Sequence, residues 1–344
     1  MKKRVLYLDV LKVIASIAVV LIHWISEYWY DMDINSSNFV ILTFMDSLIR
    51  FCVPAYLMIS GALFLRDDKD VTIKDIFKRY IPRILIIFIF WNIVYNLLNV
   101  FIIKKSVFNF SVLFDIVLKT FMGKGIFQLY FLPTIIGFYL CVPILKLVTK
   151  RENRDILKYF IFFLLAVNVL NTIFNITINR SLYYPILFDG YILYFIIGYY
   201  LYTFEISKKN TKLIYLSGFI SFLIIFLGTI FYSKYTLNHE EIFFKYASFN
   251  VIIYSSSIFL LIKNIISDKN SIKISNISKV YFGIYLIHGL VIGVIEFTHI
   301  LKNIPIVIGV ILGTIITYLI SYICILIGLK IPIVKSLISL ERNK

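Results

Sequence analysis

The sequence predicts an all-α, polytopic integral membrane protein with about ten transmembrane helices and both termini cytoplasmic. Three observations carry this. Apolar residues make up 60% of the chain and the mean hydropathy is +0.89. Long apolar runs recur from end to end, most of them near the length that crosses a bilayer as a helix. The basic residues are unevenly divided between those runs. With the N-terminus inside, the cytoplasmic pieces hold 24 of the 35 Lys and Arg and the opposite side holds 8, the bias that orients membrane helices.

Taken in order, the first span covers 6–27. It follows Lys2-Lys3-Arg4, as a signal peptide would, but it carries Asp9, Lys12 and His23 and has no small-residue cleavage site, so it is read as retained. The second, 39–65, carries Asp46, Arg50 and the small pair Ser60-Gly61. A charged connection at 66–80 leads into the third, 81–103, which opens on Pro82-Arg83. The next connection, 104–124, has the pattern of a short amphipathic helix on the outer surface. Spans at 125–148, 156–176, 184–204, 212–232, 243–265, 279–299 and 304–329 complete the set. The ninth carries His288 and Glu296. No long soluble segment or repeat interrupts this order, and 1–344 reads as a single membrane domain. Cys52, Cys141 and Cys324 lie within apolar segments at no metal-ligand spacing and read as packing residues.

The net charge of +16 does not point to nucleic acid, because the basic residues sit in short loops and form no soluble face. No Gly-rich phosphate loop, dinucleotide fingerprint or zinc motif is present, and no metal is expected.

The informative positions are the ionisable groups inside spans, which are expensive there and by default mark a site. Lys12 and His23 are eleven residues apart, which returns a helix to nearly the same direction, so they share a face with Asp9. The rise between Lys12 and His23 is roughly 16 Å. Arg50 lies deep in the second span with Asp46 one turn away. The plain alternatives are snorkelling for Lys12 and Arg83, and a structural ion pair for Asp46–Arg50. Arg79 and Arg83, one turn apart at the mouth of the third span, join Lys12 as a cationic cluster suited to phosphates. Together these positions point to a polyanionic carrier held at the inner mouth, its reactive end threaded towards His23. An imidazole there is suited to deprotonating a hydroxyl or accepting an acyl group.

Over essentially its whole length the chain resembles the membrane acyltransferase 3 family, whose bacterial members O-acylate surface glycans. Five motifs carry the resemblance in order. They are Tyr7-Leu8-Asp9-x-x-Lys12 with ten residues between Lys12 and His23, Arg50-Phe51-Cys52-Val53-Pro54 leading to Ser60-Gly61, and Phe127-Gln128-Leu129-Tyr130-Phe131-Leu132-Pro133. Phe195-Ile196-Ile197-Gly198-Tyr199 and Gly283-Ile284-Tyr285-Leu286-Ile287-His288 follow. The resemblance implies acetyl-CoA or another acyl-CoA as donor and His23 as the catalytic histidine. It places Lys12 at the family's basic position, and Arg79 and Arg83 at its arginine pair by the cofactor mouth. Tyr130 stands where the family usually has tryptophan, and Arg79-x3-Arg83 is spaced more loosely than in some members. With no esterase-like domain appended, the chain resembles the stand-alone branch of surface-polysaccharide O-acetyltransferases.

The expectation is therefore a multi-pass protein of the bacterial cytoplasmic membrane that moves an acyl group from acyl-CoA to a hydroxyl of a surface or lipid-linked glycan. His23, Asp46 and Arg50 would form the catalytic group, and Lys12, Arg79 and Arg83 would hold the donor. A different class, an exporter or flippase of a surface polysaccharide without acyl transfer, also suits ten spans with buried charges. A polar-substrate transporter fits less well, since no inverted repeat or pair of broken spans is evident.

Overall fold

The computed structural model describes residues 5–69, 71–100, 110–121, 129–178, 190–266 and 279–339. Parts of the third, fourth and sixth predicted spans (101–103, 125–128 and 184–189) lie outside them, as do Lys2-Lys3-Arg4 and Phe127-Gln128. Every described element is helical. The helices are α1 (Leu6–Trp29), α2 (Ser37–Ile49), α3 (Cys52–Phe64), the single turn α4 (Ile73–Asp75), α5 (Ile81–Leu98), α6 (Phe110–Phe121) and α7 (Phe131–Val148). After them come α8 (Arg154–Ile178), α9 (Tyr191–Thr203), α10 (Lys208–Thr236), α11 (Phe249–Ile265), α12 (Tyr281–Thr298), α13 (Ile306–Gly328) and α14 (Pro332–Ile338). Eight helical stretches are long and apolar enough to cross a membrane, and α9 and α11 are shorter apolar helices. Each predicted span coincides with one of these, and the chain is a polytopic membrane protein. The amphipathic segment expected at 104–124 holds α6.

The second span is not continuous. α2 ends at Ile49 and α3 begins at Cys52, with Arg50 and Phe51 between them. Pro54 accounts for the break: it has no N–H to give the Arg50 carbonyl four residues back, and its ring crowds that carbonyl. The eighth predicted span, 243–265, starts later than expected. Residues 239–248 fold as an irregular strap, and the helix begins at Phe249. The aromatic residues of the strap lengthen the apolar run, but Phe244 is buried against α1 and α2 side chains, not in a lipid-facing helix.

α1 is the hub, in contact with α2, α3, α11, α12 and α13. Trp24 is wholly buried, its indole donates to Thr317 Oγ1 at 2.9 Å, and Gly313 leaves room for the ring. α3 and α9 bring their backbones into close contact. A Cβ on Gly61 would stand 1.8 Å from the Phe195 carbonyl oxygen, and one on Gly198 would stand 2.1 Å from that of Met58. Small residues let helix backbones touch in this way where lipid offers no hydrophobic drive to pack. Ser60, next to this crossing, donates to the Tyr56 carbonyl at 2.8 Å.

Candidate active site

A cavity of about 430 Å³ opens beside the C-terminal half of α1. That helix contributes Val19, Ile22, His23, Ser26 and Glu27, so the residues one turn apart on one face reach the same space. α2 and the break after it supply Asp46 and Arg50. Val53 and Tyr56 come from α3, Tyr130 and Phe131 from the start of α7, Tyr281, Phe282 and Tyr285 from α12, and Glu241, Phe244 and Tyr246 from the strap. Five parts of the chain, distant in sequence, thus meet around His23.

Arg50 is placed by the helix break. It caps α2, where a cation meets the negative end of the helix dipole. Its guanidinium forms a close ion pair with Asp46 one turn earlier. The same group faces the ring of Phe244 at 4.2 Å and that of Tyr246 at 5.7 Å. The pair is buried, yet Asp46 Oδ1 and Arg50 Nε have no hydrogen-bond partner. One donor and one acceptor of the pair are therefore left unused inside the protein.

The strap is tied down from several sides. The Tyr194 hydroxyl donates to the Tyr246 carbonyl at 2.7 Å, Ser248 to that of Ile242 at 2.7 Å, and Asn250 Nδ2 to that of Phe243 at 2.8 Å. Tyr30, just past α1, donates its hydroxyl to Glu241. Trp29 stacks on Phe39 at 5.4 Å and meets His239 at 5.0 Å, closing an aromatic box at this end of α1.

At the other end of α1, Lys12 forms an ion pair with Asp9 at 2.9 Å. Neither lines the cavity. Between them and it stand Tyr281, whose ring lies 5.7 Å from Lys12 Nζ, and Tyr56, stacked on Tyr281 at 5.6 Å and donating to the Lys12 carbonyl at 3.2 Å. Arg79 is exposed in a π-helical segment, Ile76–Tyr80. A π-turn holds an extra residue, so four steps no longer stack Arg79 over Arg83 as an α-turn would. Arg83 is half-buried and donates to the Ser339 carbonyl at 2.8 Å. The structure thus brings His23, Asp46 and Arg50 together around one cavity, and places Lys12, Arg79 and Arg83 away from its lining.

Sequence reasoning missed the contribution of the strap and of Glu27. The polar run Asn238-His239-Glu240-Glu241 at the edge of an apolar segment was the available signal. Glu296 faces elsewhere: it accepts from the Tyr28 hydroxyl at 3.3 Å and lines a smaller, separate cavity. Among the described residues no group of three His, Cys, Asp or Glu side chains forms a metal site.

A family model described as an acyltransferase domain, Acyl_transf_3, matches residues 5–326. The chain belongs to this acyltransferase family. Neither the curated proteins nor the solved structures give a significant match. The matched span runs from the start of α1 to within two residues of the end of α13, so it takes in every residue lining the cavity. An acyltransferase acting on a hydroxyl needs a base for the attacking oxygen and donors for the oxyanion that forms. The cavity of this acyltransferase offers an imidazole for the first task and a guanidinium for the second.

Proposed function

We propose that this acyltransferase moves an acetyl or related acyl group from cytoplasmic acyl-CoA to a hydroxyl of a surface or lipid-linked glycan, working in a bacterial cytoplasmic membrane. The observation that carries the reading is the cavity itself, where His23 shares the wall with the Asp46–Arg50 pair in a chain of an acyltransferase family.

His23 takes the proton of the acceptor hydroxyl as its oxygen attacks the thioester carbonyl. Arg50 offers an N–H to the oxygen that becomes negative, and Asp46 holds the guanidinium in place. Collapse of the intermediate forms the ester and breaks the carbon–sulfur bond, and the proton held by His23 leaves with the CoA thiol. A transient acyl-imidazole on His23 gives the same products in two steps. The acceptor enters beside Glu27, Tyr30 and Glu241, where carboxylates and aromatic rings offer the mixed surface that sugars need. Lys12, Arg79 and Arg83 remain the candidates for the donor phosphates. The first α1 residue in the cavity, Val19, is seven residues from Lys12, roughly 10 Å along the helix. An extended pantetheine arm spans that interval by passing Tyr56 and Tyr281.

The test is the ester-linked acyl content of the surface glycan in a deletion strain complemented with wild type or His23→Ala. Wild type is expected to restore the ester and His23→Ala to leave it absent, with equal glycan and equal membrane protein. If deletion removes the glycan itself and His23→Ala restores it, the protein is an exporter and this reading fails.

A further inference from the structure

His288 is the one buried histidine in contact with His23 among the described residues, and the reaction outlined above gives it no task. It is wholly buried in α12, and its ring centroid lies 5.0 Å from that of His23 across the α1–α12 interface. The other described ring beside it, Tyr285 at 6.0 Å, belongs to its own helix. Its Nδ1 faces two carbonyl oxygens of that helix, Tyr285 at 2.6 Å and Ile284 at 3.2 Å. A carbonyl only accepts, so Nδ1 carries a proton, and the neutral ring keeps its lone pair on Nε2. That Nε2 is buried and has no hydrogen-bond partner. Nδ1 is turned back on α12, so Nε2 points away from it.

A buried acceptor left empty is costly, and its nearest described ring on another helix is an imidazole with a proton to give. We infer that His288 is a positioning residue for His23, accepting the N–H of one His23 nitrogen on its own Nε2 and so keeping the other nitrogen free as the base. The proposal rests on the reading of His23 as the base. Imidazole has one proton and two sites for it, and a base with the proton on the wrong nitrogen cannot work. Rings with centroids 5.0 Å apart bring their edges into hydrogen-bond reach with a modest turn of His23, and catalytic hydrogen bonds are often loose before substrate arrives. The arrangement does what a carboxylate does for the histidine of a hydrolytic triad, with a neutral acceptor better suited to an apolar setting.

A merely structural His288 would act through Nδ1 and its bonds to α12. The two roles therefore use different nitrogens, and two amides separate them. Glutamine places its amide near the position of Nε2, and asparagine near that of Nδ1. The full-length protein is assayed in membrane vesicles that carry their own glycan and lack the chromosomal copy, with radiolabelled acetyl-CoA as the probe. Rates are normalised to membrane protein. His288→Leu is expected to lower the maximal rate by roughly tenfold to a hundredfold, with the KM for acetyl-CoA unchanged. His288→Gln is expected to recover most of the loss and His288→Asn little of it. In the His23→Ala background, His288→Leu should cost nothing further, since residues acting as a unit are not additive.

A wild-type rate in His288→Leu overturns the proposal. So does recovery by asparagine in place of glutamine, which would make the residue a helix brace. If His23→Ala itself keeps the wild-type rate, the transfer mechanism falls and the proposal falls with it. That outcome is distinct from an inactive His23→Ala beside indifferent His288 variants, which sinks the proposal alone.

Discussion

Two ion pairs of similar chemistry lie at opposite ends of the candidate site. Asp9–Lys12 joins residues three apart on an unbroken helix, and Asp46–Arg50 joins residues four apart where a span is interrupted. All four side chains are largely withdrawn from solvent. Only the second pair lines the cavity, and it also has two buried polar atoms, Asp46 Oδ1 and Arg50 Nε, left without partners. The difference comes from the backbone. An intact helix keeps its carbonyls occupied and leaves a lysine side chain to reach along the surface, whereas the break at Arg50 turns a mid-span arginine into a helix-end residue with donors to spare. Burial of a charge identifies where membrane cost is being met, and here the broken helix marks the pair that faces the cavity.

The comparison breaks most visibly at Arg50. Arg50→Leu leaves Asp46 as an uncompensated buried carboxylate, an arrangement that costs about 3–5 kcal/mol. Transfer should fall below detection and the yield of monodisperse protein in detergent should drop, as measured by size-exclusion chromatography. Arg50→Lys, which keeps the charge but not the planar face against Phe244, should keep the fold and lose transfer. If it is fully active, the geometry of the guanidinium is irrelevant.

The double variant Asp9→Asn/Lys12→Met, which removes both charges and leaves no buried carboxylate alone, tests the other pair. It should raise the KM for acyl-CoA by about tenfold, the value of one charge-assisted contact to phosphate, and leave the maximal rate within about threefold. A collapse of maximal rate at unchanged KM would mean that both pairs serve the chemical step. The smallest effect is expected for Pro54→Ala. It restores a backbone N–H for the Arg50 carbonyl and lets α2 and α3 approach one continuous helix. Transfer should fall by a few fold with the protein at least as heat-stable as wild type. A variant that is both wild-type in rate and wild-type in thermal midpoint would make the break incidental.

The stripe on α1 was legible because a helix repeats its direction after eleven residues, and Arg50 was legible because charge at mid-span is rare. The apolar runs gave the helices themselves. The break between α2 and α3 was written in Pro54, but a hydropathy window averages over one proline and reports a single span. The strap at 239–248 was hidden for a related reason: Phe243, Phe244 and Tyr246 are as apolar as lipid-facing residues, and the pattern of types does not say whether they face lipid or fold back on α1. Arg79 and Arg83 look paired at four residues only under α-helical geometry, which the π-turn between them does not keep. The contact of His23 with His288 spans most of the chain, and nothing local in either segment announces it.

The α3–α9 crossing has a mechanical consequence. Where two backbones touch at Gly61 and Gly198 there are no side chains between them, hence no rotamers to flip and no slack to take up. α3 also carries Val53 and Tyr56 into the cavity, so that side behaves as an anvil. Across from it, the ring of Phe131 meets those of Tyr56 and Tyr285 at 6.0 and 5.9 Å between centroids. Widening of the cavity therefore falls to the walls away from the α3–α9 crossing, which does not yield.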